Sequence, residues 1–214
     1  MAFGEVGTSL SKIKANSLNL AGTFGFSGTV SGLADETPLV SISTFTSDGS
    51  DATASFTSGI DSTYKEYLFV LNNIHPETNG ETLTFQTTTD GSNFNVTATT
   101  TFFQSRHKEN GSTQGLEYEG GSDLAQGTGF QALSPTVLGD ADSAVSGVLK
   151  LFNPSSTTFV KHFLSRTSSP QSGGSAHDSF IAGYFNTTSA VTGVQFKYSS
   201  GEIQGGTIDL FGVV

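Results

Sequence analysis

The 214-residue chain has no cysteine, no tryptophan, one methionine and five prolines. Without cysteine there is no disulfide, no thiolate metal site and no cysteine nucleophile. Basic residues are also scarce, nine Lys+Arg against nineteen Asp+Glu for a net charge of -10. The basic patch that phosphate neutralisation requires is missing, which argues against nucleic acid as a partner. No apolar run reaches the length of a membrane span, and the opening MAFGEVGTSLSKIKANS lacks the continuous apolar core of a secretory leader. The expectation is a soluble chain that binds neither nucleic acid nor membrane and needs no cofactor.

What the chain has instead is 26 glycines, 18 phenylalanines and a large complement of Ser and Thr, with only 13% charged residues. This polar but uncharged composition favours strands over long helices. Charge divides unevenly: residues 1–33 carry only Glu5, Lys12 and Lys14, about +1, and leave about -11 for the rest. The first part ends in LAGTFGFSGTVSG, where phenylalanines alternate with glycines. Such short segments bury too little apolar area to offset their ordering entropy, so they need a partner surface or copies of themselves. Residues 1–36 are therefore expected to form an extended glycine-rich N-terminal arm for assembly or docking. Its anchoring residues would be Leu18, Leu20, Phe24 and Phe26, with Lys12 and Lys14 as its cations.

From residue 37 to 214 the pattern is strand, turn, strand with a period of two. Strands are predicted at 38–46, 52–58, 66–74, 81–89, 94–103, 145–153, 159–167, 178–187, 191–198 and 206–214. Turn pairs such as Asp48-Gly49, Asn79-Gly80, Asp90-Gly91 and Ser200-Gly201 punctuate them. In 66–74 both faces are apolar, which predicts a central strand buried on both sides. In 81–89, Leu83 and Phe85 alternate with Thr82 and Thr84, which predicts one wet face. Ten such strands without a helical period indicate an all-β fold, an antiparallel two-sheet β-sandwich of jelly-roll-like type. Residues 104–144 resist this pattern. QSRHKENGSTQG is predicted as a surface loop, and Ser122 or Asp123 as the cap of one helical turn over Leu124, Ala125 and Gln126.

Catalytic chemistry is sparse. His75, His107, His162 and His177 are far apart in sequence, no serine elbow joins a strand to a helix, and no metal-ligand spacing is present. Glu117 and Glu119 stand two apart on one strand face, and their glycine-rich surroundings predict a solvated charge pair rather than a glycosidase pair. Asp48 to Asp51 and Asp140 to Asp142 read as ordinary turns rather than as a calcium loop. The polar segments around 104–121 and 168–178 are the parts best suited to an external contact, with Arg106, His107, Lys108, Tyr118 and His177 as candidates. A sugar-binding module is the alternative from another class, since sandwiches bind glycans on loops or sheet faces.

The runs SGIDSTYKEYLFVLNNIHP (58–76), TTTDGSNFNVTATTTFF (87–103), SDLAQGTGFQAL (122–133), LFNPSSTTFVKHFLSRT (151–167) and FIAGYFNTTSAVTGVQFKYSSGEIQGGTIDLFGV (180–213) resemble a virion structural protein of marine tailed bacteriophages. The resemblance implies a non-enzymatic particle component made in the bacterial host cytoplasm and found in the virion. It implies a short fibre or an outward-projecting capsid or tail appendage, with a capsid decoration protein as the alternative. The partners expected are other virion proteins, further copies of the chain in a homotrimer, and a host surface glycan where the tip makes contact.

Overall fold

Alternation of apolar and polar side chains turns most of the chain beyond the arm into strand. The computed structural model describes residues 38–171 and 173–214. Leu18, Leu20, Phe24, Phe26, Lys12 and Lys14 lie outside the described residues. The described residues form thirteen strands and no helix. They begin with β1 (Leu39–Thr46), β2 (Ala54–Phe56), β3 (Glu66–Pro76), β4 (Glu81–Thr88), β5 (Ala98–Lys108), β6 (Gln114–Tyr118) and β7 (Ala125–Gly127). They continue with β8 (Gln131–Val137), β9 (Val145–Phe152), β10 (Lys161–Gln171), β11 (Ser175–Phe185), β12 (Gly193–Tyr198) and β13 (Ile203–Val213).

Two antiparallel sheets result. The larger runs β1-β13-β3-β9-β10-β11-β5-β6, with β7 also paired to β5, and the smaller runs β2-β12-β4-β8. With β5–β7 and β10–β11 set aside, eight strands remain. In chain order they give one sheet of order 1-8-3-6 and one of order 2-7-4-5. That is the double Greek key of a jelly roll. The other five strands come from two separate insertions, one between β4 and β8 and one between β9 and β12. Both join the same edge of the same sheet, where β11 pairs with β5 from Ser175↔Lys108 to Phe185↔Ala98.

The core lies between the sheets and is built on phenylalanine. Phe56, Phe69, Phe85, Phe163, Phe185 and Phe196 are all buried, and their rings meet mostly edge to face. Phe85 of β4 contacts Phe163 and Phe185 of the inserted strands at centroid distances of 4.9 and 5.8 Å. The core therefore ties the extension to the frame.

Four local expectations are corrected. β3 is interior to its sheet, between β13 and β9, but buries only Tyr67, Phe69, Leu71, Ile74 and Pro76 fully; Leu68 and Val70 lie half-buried on the outer face. β4 has no wet face, because loops cross its outer side: Gln86 Nε2 donates to the carbonyls of Val96, Thr128 and Gly129, and Phe130 lies against Lys197. Residues 125–127 pair with β5 as β7 instead of forming a helical turn. Residues 104–108 continue β5 rather than looping, since β11 on one side and β6 on the other satisfy their backbone groups.

Candidate functional site

Both faces of the inserted extension carry features that the eight-strand frame does not need. On the outer face, strand register places Val70, Val148, Arg166, Phe180, Phe103 and Tyr118 side by side across six strands. The Phe103 and Phe180 rings stack at 4.9 Å and 4°. Arg166 lies over Phe180 at 4.8 Å and forms a forked pair with Asp178, at 2.9 Å from Nε and 2.6 Å from Nη2. A second row, Leu68, Lys150, Leu164 and Ala182, runs beside the first, with Lys150 held by Glu66 at 2.8 Å. Between the rows lies a shallow apolar groove of about 340 Å³. Leu164 is 50% exposed and Phe103 39%.

The inner face changes character along the strands. Where the small sheet covers it, the side chains are Phe163, Ile181, Phe185, Ala98 and Phe102. Past β8, the last strand of that sheet, they are Ser169, His177, Ser179, Gln104 and Arg106. Thr167, whose hydroxyl donates to the Leu133 carbonyl, marks the change.

The polar end is organised as a relay. Gln104 Nε2 donates to Glu119 at 2.6 Å, which turns the amide oxygen toward His177 Nδ1 at 3.0 Å. Nδ1 must then carry the proton, leaving Nε2 as a bare acceptor. His177 is 2% exposed, and burial followed by the nearby Arg106 charge pulls its pKa below the usual histidine value against the opposing pull of Glu117 and Glu119. Arg106 pairs with Glu117 at 3.2 Å. Four buried polar atoms here have no partner: His177 Nε2, Ser169 Oγ, Ser179 Oγ and Arg106 Nε. Ser169, His177 and Arg106 are directly opposite one another on β10, β11 and β5. Beside them opens a mostly polar cleft of about 270 Å³, whose walls include Gln104, Arg106, Glu119, Ser134, Thr136 and Gln171.

Of the contact residues expected from sequence, Arg106, His107 and Lys108 stand at the end of β5 rather than in a loop, and Tyr118 is exposed on β6 with its hydroxyl bonded to Asp123. His177 is a correction: it lies on β11 with its ring buried, because the period of two turns it inward between Ser169 and Arg106. Glu117 and Glu119 are also not a bare solvated pair, since each has its own partner. Asp48 and Asp51 accept hydrogen bonds from their own turn, as expected. His75 bonds the Ser143 carbonyl at 2.6 Å and His162 lies near Tyr184, so neither joins His177. Among the described residues no three His, Asp or Glu side chains converge as a metal site. Sequence reasoning missed Gln104, Ser169 and Ser179. The signal for the two serines is the alternation S-x-T-x-S in 165–169 and S-x-H-x-S in 175–179, an inward polar stripe continuing an apolar one.

Compared with models of protein families, with curated proteins and with solved structures, the chain matches none.

Proposed function

We propose that this chain is a non-enzymatic structural subunit of a tailed-phage particle, a short fibre or outward-projecting appendage of capsid or tail. Residues 1–36 anchor it through Leu18, Leu20, Phe24 and Phe26, and the jelly roll projects. The observation that carries this reading is the outer face of the extended sheet. Monomeric soluble proteins seldom leave a contiguous apolar surface of this kind uncovered. The face also has the anatomy of a subunit interface: stacked aromatics and an arginine at its centre, with ion pairs Arg166–Asp178 and Lys150–Glu66 around them. The resemblance of 58–213 to phage virion proteins supports the same reading.

A homotrimer fits a heterologous contact that closes a ring. Light scattering on the full chain then gives three times the 22.3 kDa chain mass, and the double substitution Phe103→Glu, Leu164→Glu returns it to one. On purified particles the protein is present in wild type, and deletion of residues 1–33 removes it. A truncated protein still found on the particle overturns the anchoring role, and a full-length protein absent from particles overturns the proposal. Copy number separates the two particle roles: many copies and a fragile shell on removal indicate decoration, few copies and lost adsorption indicate a fibre.

A further inference from the structure

The polar cleft on the inner face of the extension is not needed by the fold and is not explained by assembly through the outer face. Its walls mix donors and acceptors. Arg106 contributes guanidinium N–H groups, Glu119 a carboxylate, and Thr136 a hydroxyl on the exposed side of β8. At about 270 Å³ the cleft holds about nine water volumes, room for one pyranose ring with its hydroxyls.

Charge narrows the ligand. Arg106 is neutralised by Glu117, which leaves Glu119 as the excess charge and disfavours phosphate, sulfate or an acidic sugar. The carboxylates do not converge with a third ligand, which disfavours a divalent cation. A neutral polyol remains, because each hydroxyl both donates and accepts and so matches walls that offer both. We infer that the cleft between β8 and the β5–β6 end of the extension binds a single neutral sugar residue, held by Glu119, Gln104 and Arg106 with Thr136 at its mouth.

This assignment is independent of the phage-particle reading and can fail without it. The test is saturation-transfer NMR on the full chain, using methyl α-glucoside, methyl α-mannoside, methyl β-galactoside and the methyl glycoside of N-acetylglucosamine as probes. Transfer to at least one probe is expected, with a dissociation constant of about millimolar, the range for a ligand of this size. Glu119→Gln and, separately, Thr136→Trp each weaken it by about tenfold or more, as loss of a charge-assisted hydrogen bond or filling of the mouth requires. Thr136 is exposed, so its replacement tests the cleft even if Glu119→Gln disturbs folding. Phe103→Ala, on the opposite face, leaves binding unchanged. Absence of transfer from all four probes overturns the assignment. So does transfer that survives both cleft substitutions, transfer lost only in Phe103→Ala, or displacement of the sugar by inorganic phosphate.

Discussion

Replacement of Phe85 by alanine tests whether the phenylalanine cluster is what holds the extension to the frame. The ring is 1% exposed and contacts Phe163, Phe185 and Phe196 at 4.9, 5.8 and 6.2 Å. Truncating a buried phenylalanine costs about 3–5 kcal/mol, the transfer loss and the cavity together. The sandwich lies within residues 38–214, and a domain of about 180 residues has an unfolding entropy of about 0.38 kcal/mol/K near its melting temperature. A loss of about 4 kcal/mol then lowers Tm by about 10 °C. Phe103→Ala removes one exposed stack worth about 0.5–1.5 kcal/mol and lowers Tm by about 3 °C. Scanning calorimetry at matched protein concentration measures both, concentration being fixed because self-association raises Tm by mass action. A Phe85→Ala shift no larger than the Phe103→Ala shift refutes the assignment of the core.

Three further outcomes are expected. Gly147→Ala places a Cβ 2.3 Å from the Arg166 carbonyl oxygen, where β9 of the frame meets β10 of the extension; the strands must part, and a denaturant titration shows a loss of about 1–3 kcal/mol or more. His177 has its pKa lowered by burial, so below about pH 6.5 the unfolded chain binds more protons than the folded one. Stability therefore falls as pH drops from that value toward the folded pKa, and His177→Gln flattens this slope in urea titrations; an unchanged slope rules out the buried neutral ring. Asp90 accepts from the Asn93 side chain and from the Asn93 and Ser92 amides, which hold its carboxyl far below the usual range. Its contribution is full above about pH 4 and is lost as pH falls through the depressed value, so Asp90→Ala lowers the urea midpoint at pH 7 and by less at pH 2.

The two-sheet architecture was legible because the period of two survives wherever one face meets the core, as with Tyr67, Phe69 and Leu71. The strand order was not, because β3 pairs with β13 and β9 across long stretches of chain and nothing local encodes that choice. Residues 104–108 read as a loop because Gln, Ser, Arg, His and Lys have no apolar face. They are strand because β11 supplies their hydrogen bonds and because past β8 the inward face meets no apolar layer. The wet face predicted for β4 failed for a related reason: loops from elsewhere in the chain cover its threonines and Gln86. Of the polar end of the extension, the sequence showed Arg106, His177, Glu117 and Glu119 as separate residues. Their convergence is a product of register.

The extension also constrains the order in which the molecule can form. His177 and Gln104 are 73 residues apart, and the strands that carry them enter the chain in different insertions. Their pairing closes a long loop, as does that of β3 with β13, and the entropy of each closure precedes any gain. The inserted strands that run beside β9 need that edge in place first. In amide exchange, β3 and β13, interior to the larger sheet, open only with global unfolding, while β6 at its edge opens at lower cost.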